Sequence, residues 1–213
     1  MSGSQLTRIV LVRHGQTDYN RDGQVQGAVD IPLNEVGRAQ AQQMGPQVAK
    51  FQPSLIVTSD LGRAVETAEA IASHCAAKMR VHAGLRERGF GLFEGATRQQ
   101  MEAEYPQWYQ QWRETGECEA AGIEKRSVVG NRFAAAVEEL AVRGGTTVFV
   151  SHGSATTQGM CSLLELDAGV WMGLKGLNNC HWSVLEESDR HPRWRLLAHN
   201  LGVSSLDEGR SMA

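Results

Sequence analysis

Two histidines and two arginines stand where short apolar runs end. Ile9-Val10-Leu11-Val12 runs into Arg13-His14-Gly15, and Thr147-Val148-Phe149-Val150 runs into Ser151-His152-Gly153. Arg63 follows the apolar run Leu55-Ile56-Val57-Thr58, and Glu87 follows the weaker run Met79-Arg80-Val81-His82. An imidazole has an unperturbed pKa of about 6.5, so a neutral, nucleophilic form is available near neutral pH. Two guanidiniums can grip the equatorial oxygens of a transferring phosphoryl group, and a second, protonated imidazole adds a charged donor. Nucleophile and partner then need environments that push their protonation apart. A carboxyl group can protonate a departing alkoxide and afterwards deprotonate the attacking water. The set suits phosphoryl transfer, with His14 as nucleophile, Arg13, Arg63 and His152 around the phosphate, and Glu87 moving the proton. The remaining histidines (His74, His82, His181, His191 and His199) lack such a setting and read as structural or surface residues.

These residues need a scaffold that brings them together. Short apolar runs ending at glycine or polar residues read as strands buried on both faces of a parallel sheet. Ligands of open α/β sheets sit beyond the carboxyl ends of the strands, which is where every one of these side chains falls. Helices are expected from Asn34, whose side chain suits an N-cap, with a kink or an early end at Gly45-Pro46. Others are expected from about Leu61 to His74 behind a Ser59 or Asp60 cap, from Arg98 to about Arg113, from about Ser127 to Val142, and through Met160 and Leu164. Arg63 falls in the first turn of its helix, where a cation opposes the dipole unless it faces a bound anion. Tyr105, Trp108, Tyr109 and Trp112 form an aromatic stripe at helical spacing, which reads as packing. Glu114 to Lys125 reads as a mobile polar loop. Cys180 to Leu185 and Trp194 to Ala198 read as a closing strand pair, antiparallel at one edge. The expected fold is an α/β three-layer sandwich, a central, mostly parallel sheet flanked by helices. It forms one domain over residues 1–205, with 98–125 as a cap over the site and a disordered tail at 206–213.

Bulk properties narrow the partners. The chain has 213 residues and a net charge of −3, so it offers no general attraction to nucleic acid or to an anionic membrane. No apolar run approaches the roughly 18 residues that span a bilayer. Its four cysteines are scattered without a C-x-x-C pair, and the first residues lack a signal peptide's apolar region, which together point to the cytoplasm. There is no H-E-x-x-H, no aspartate cluster and no P-loop, so neither metal nor cofactor is expected. The expected partner is a small phosphorylated substrate.

The residues above, taken with their neighbours, resemble the histidine phosphatase superfamily, also called phosphoglycerate mutase-like. The likeness runs through Leu11-Val12-Arg13-His14-Gly15-Gln16-Thr17 with Asn20, Gln26-Gly27, and Pro32-Leu33-Asn34-Glu35-Val36-Gly37-Arg38-Ala39-Gln40-Ala41. It continues through Thr58-Ser59-Asp60-Leu61-Gly62-Arg63-Ala64, Thr67-Ala68, Leu85-Arg86-Glu87 and Ser151-His152-Gly153, in the family's order and over most of the chain. The resemblance implies the mutase-like fold and a phosphohistidine on His14. It also implies that Arg13, Arg63 and His152 hold the phosphate, that Glu87 is the proton donor, and that Thr17, Asn20, Gln26, Gly27 and Gly153 line the substrate site. Members often form homodimers; the sequence excludes neither a homodimer nor a monomer. Two departures stand out. The family's usual Gly-Gly-Glu-Ser element is replaced by Gly122-Ile123-Glu124-Lys125-Arg126-Ser127. The basic insert of cofactor-dependent mutases is replaced by a segment carrying Glu114, Glu117 and Glu119, which favours water as the final acceptor. Within the superfamily the pattern is similar to the glucosyl-3-phosphoglycerate phosphatases. A phosphoglycerate mutase, a silent phospholigand-binding protein and a metallohydrolase with His14 and His152 as ligands are the alternatives.

Overall fold

The computed structural model describes residues 6–203; the expected tail at 206–213 lies outside them. The chain alternates strands and helices in the order β1 (Arg8–Arg13), α1 (Asp18–Arg21), α2 (Glu35–Ala49), β2 (Leu55–Thr58), α3 (Gly62–Ala72) and β3 (Lys78–Val81). Next come α4 (Arg98–Glu104), α5 (Pro106–Thr115), α6 (Arg126–Leu140), β4 (Thr146–Ser151), α7 (Gly153–Leu163), β5 (Trp182–Glu187) and β6 (Trp194–Leu201). The strands form one sheet in the order β3-β2-β4-β1-β5-β6. β3, β2, β4 and β1 are mutually parallel, whereas β5 and β6 close the other edge antiparallel.

Side chains alternate across a strand, so β1 feeds two cores. Val10 and Val12 join Ile56, Val148 and Val150 beneath Met44 and Val48 of α2 and Ala64, Ala68 and Ile71 of α3. Ile9 and Leu11 join Val57 and Phe149 against Val129, Phe133 and Val137 of α6 and Ala155, Met160 and Leu163 of α7. The three layers are as expected: helices, sheet, helices. Neighbouring strands β1 and β4 are followed by helices on opposite faces, α2 and α7. That divergence opens a crevice at their carboxyl ends.

Several local expectations are corrected. α2 runs through Gly45-Pro46 and ends after Ala49. Pro46 costs the ladder the one bond that its missing N–H would make to Gln42, and buried Met44 and Val48 hold the helix on both sides of it. Neither Ser59 nor Asp60 caps α3; its N-cap residue is Leu61. The Asp30 carboxylate accepts the Gly62 N–H at 2.9 Å instead, while Asp60 is paired with Arg86 at 2.6 Å. The region 98–113 is two helices, because Pro106 cannot donate and forces Tyr105 out of helical geometry, to φ −136° and ψ 52°. Residues 114–125 are packed, with Cys118, Ala121 and Ile123 buried against Phe93, Met101 and Tyr109 in a third core.

Candidate active site

The register of the sheet places the two histidines. Arg13 of β1 is opposite Ser151 of β4, so His14 and His152 leave the sheet side by side. Their ring centroids are 5.1 Å apart with the planes tilted by 59°, and both residues are buried. Arg13 donates from Nη1 to the Leu177 carbonyl at 2.6 Å. Arg63, one residue into α3, is wholly buried and reaches back to the loop after α1. Its Nη1 donates to the Val29 carbonyl at 2.7 Å and its Nη2 to the Gly27 carbonyl at 2.9 Å. Gly27 has φ +56°, a conformation that side chains disfavour. Glu87 lies at the amino end of α7: Oε1 accepts the Ala155 and Arg88 N–H groups, each at 2.8 Å, and Oε2 accepts that of Ser154 at 3.1 Å.

Hydrogen bonding sets the tautomer of His14. Nδ1 lies 2.7 Å from the Gly15 carbonyl, which can only accept, so Nδ1 carries the proton and Nε2 keeps a lone pair. Burial, followed by the charges of Arg63 and Arg13, holds the His14 pKa well below its ordinary value. His152 is held down likewise, by burial first and then by His14, Arg63 and Arg13. The expectation of one neutral and one protonated imidazole is thereby corrected for the free protein. Two guanidiniums and a common buried setting push both rings toward neutrality. His152 shares a 2.9 Å hydrogen bond between Nε2 and the Ser59 hydroxyl. Its Nδ1, together with Arg13 Nε, Arg63 Nε and Gln26 Oε1, is buried without a hydrogen-bond partner. Native interiors seldom leave such groups unpaired, and Arg13, Arg63 and Gln26 meet at one point beside the two rings.

That point is a cavity of about 210 Å³. Of the expected residues, Arg13, His14, Asn20, Gln26, Gly27, Arg63, Glu87 and Gly153 line it. Thr17 does not line it: it caps α1, accepting the Asn20 N–H at 3.2 Å, and so holds Asn20 in place. His152 is not on the cavity wall and makes its contact through the neighbouring His14 ring. Sequence reasoning missed Asn179, which donates to the His14 carbonyl and to Asn20 Oδ1, each at 3.0 Å. It also missed Phe90 and Ser154 on the wall, and read Trp112 as packing and Ser59 as a cap. Trp112 carried a signal in its place on the aromatic stripe; Asn179, in an irregular loop, carried none. The segment replacing Gly-Gly-Glu-Ser braces the site from behind: Glu124 accepts the Gly89 N–H at 3.1 Å and pairs with Arg132, which donates to the Glu87 carbonyl at 3.0 Å.

A model of the histidine phosphatase superfamily (branch 1) matches residues 9–200. Glucosyl-3-phosphoglycerate phosphatase of Mycobacterium tuberculosis is 37% identical over 205 residues, covering 89% of this chain and 92% of its own length. A probable phosphoglycerate mutase of Yersinia enterocolitica is 34% identical over 187 residues, covering 85% of each chain. Among solved structures, a mycobacterial glucosyl-3-phosphoglycerate phosphatase in complex with VO3 superposes with a TM-score of 0.83 at 36% identity, covering 92% of this chain and all of that one.

Proposed function

The chain belongs to the histidine phosphatase superfamily and is a phosphomonoesterase; from that premise we propose that it hydrolyses a small phosphorylated metabolite through a phosphohistidine on His14, without a metal. The observation that carries this reading is the fixed tautomer of His14, which keeps a lone pair on Nε2 and lines a cavity with Arg13 and Arg63. Nε2 attacks phosphorus, the N–P bond forms as the ester P–O bond breaks, and the alkoxide takes a proton from Glu87. Water then attacks the phosphohistidine and returns a proton to Glu87, and inorganic phosphate leaves with His14 neutral again. Glu87 Oε2 accepts a single N–H bond, which leaves it a lone pair for the proton that is transferred.

The phosphate accepts from Arg13 and Arg63, and its negative charge draws a proton onto His152, which adds a positive charge beside the His14 ring. Guanidiniums beside His14 repel a cation, which supports chemistry without a metal. Thr17 acts through Asn20, and Asn20, Gln26, Gly27 and Gly153 contact the substrate. The 98–125 segment roofs the cavity through Trp112. The relative's name supports a phosphorylated, glucose-bearing hydroxy acid as substrate, and the acidic residues Glu114, Glu117 and Glu119 support water as acceptor. All four cysteines are free, as suits the reducing cytoplasm.

Phosphate release from a panel of phosphorylated metabolites tests this, run with and without chelator and with His14→Ala. The reading requires turnover that survives the chelator and disappears in a folded His14→Ala protein. Activity lost to chelation, or persisting in the variant, overturns it.

A further inference from the structure

A second cavity, of about 500 Å³, opens beside the first and shares Phe90, Trp112 and Ser154 with it. Three guanidiniums line it, those of Arg88, Arg113 and Arg126. They are not equivalent. Arg88 is neutralised by Glu117 at 2.8 Å. Arg113, at the end of α5, is exposed and has no ion-pair or hydrogen-bond partner among the described residues. Arg126 is only 4% exposed, yet among the described residues no carboxylate faces its guanidinium within ion-pair distance. It donates from Nη2 to the Trp171 carbonyl at 2.8 Å and from Nε to Gln158 at 3.3 Å, while Nη1 is buried without a partner. Gly116 leaves room at that atom: a Cβ there would lie 3.1 Å from Nη1.

A buried, unneutralised guanidinium is costly unless an anion completes it. Resting on the phosphatase reading above, we infer that the second cavity seats the leaving group and that Arg126, assisted by Arg113, binds a carboxylate on it. The substrate is then a phosphorylated hydroxy acid, its ester phosphorus at His14 and its carboxylate one cavity away. The Gly122-to-Ser127 departure from the family pattern supplies this recognition, since it is the stretch that carries Arg126. Phe90 and Trp112, in edge-to-face contact at 6.0 Å, form the wall common to both compartments.

The test compares glucosyl-3-phosphoglycerate with its methyl ester, which lacks the carboxylate charge and keeps the phosphate, and p-nitrophenyl phosphate serves as an activity control. Wild type should show a kcat/KM for the acid about tenfold to a hundredfold above that for the methyl ester, the range of a charged hydrogen bond. Arg126→Gln should erase that gap by lowering the acid alone, Arg126→Lys should restore part of it, and the exposed Arg113→Gln should narrow it in a protein whose core is untouched. Equal treatment of acid and ester by wild type, or equal loss of both in the variants, overturns the inference. So does hydrolysis of p-nitrophenyl phosphate without hydrolysis of either glucosyl compound. Failure to hydrolyse any phosphomonoester, p-nitrophenyl phosphate included, instead overturns the phosphatase reading on which it rests.

Discussion

Two buried neutral imidazoles make the stability of the free protein depend on pH in a calculable way. Burial and the neighbouring arginines lower the pKa of both His14 and His152 in the fold, below the ordinary value of 6.5 that each regains on unfolding. Below that value the unfolded chain takes up protons that the folded site refuses. The contribution is therefore fully present above about pH 6.5 and is lost as pH falls beneath it. Between about pH 7.5 and 5.5, each ring that stays neutral in the fold costs about 1.4 kcal/mol, and the pair about 2.7 kcal/mol. Urea unfolding followed by tryptophan fluorescence at both values, for wild type, His14→Asn and His152→Asn, isolates this from the carboxylates, which all three proteins share. Each variant should lose less than wild type over that interval, by up to about 1.4 kcal/mol. Equal losses in all three would mean that the rings titrate alike in fold and coil, and the neutral, nucleophilic resting state would have to be given up.

Arg63→Ala removes a wholly buried cation and frees the Val29 and Gly27 carbonyls it holds. It should cost about 2–5 kcal/mol of transition-state binding, read as kcat/KM; a fall smaller than about tenfold would contradict its role. Glu87→Gln should lower kcat/KM for alkyl phosphates, which reports the leaving-group step, by about 10²–10⁴ while sparing kcat/KM for p-nitrophenyl phosphate, whose leaving group needs no proton; equal falls in both would assign Glu87 to positioning alone. Gly15→Ala should destabilise the protein by about 1–3 kcal/mol in denaturant unfolding, because the new methyl cannot coexist with the backbone of α2. Its Cβ would lie 2.5 Å from the Gly37 carbonyl oxygen.

What was legible in the sequence was whatever local pattern decides. Ile9-Val10-Leu11-Val12 and Thr147-Val148-Phe149-Val150 are strands because apolar residues bounded by glycine have few alternatives, and strand ends then carry His14 and His152 to one edge. What was not legible depends on distant neighbours. Asp30, not the adjacent Ser59 or Asp60, accepts the first N–H of α3, and no local rule names a carboxylate from another loop. The burial of Cys118, Ala121 and Ile123 follows from the aromatic cluster that α4 and α5 assemble. The neutral state of His152 in the free protein was not legible for the same reason: its setting is made by Arg13, Arg63 and His14, three residues from two other segments. The break at Tyr105-Pro106 was written in the sequence, but the aromatic spacing on either side masked it.

The central claim is that His14 Nε2 becomes bonded to phosphorus. Rapid acid-free quenching of a turnover with a ³²P-labelled ester, followed by peptide mapping, tests it most directly. Label is expected on the peptide containing His14, stable to alkali, released by acid, and chased by water at the rate of turnover. Full turnover with no labelled protein at any time point, or label residing on another residue, would contradict it.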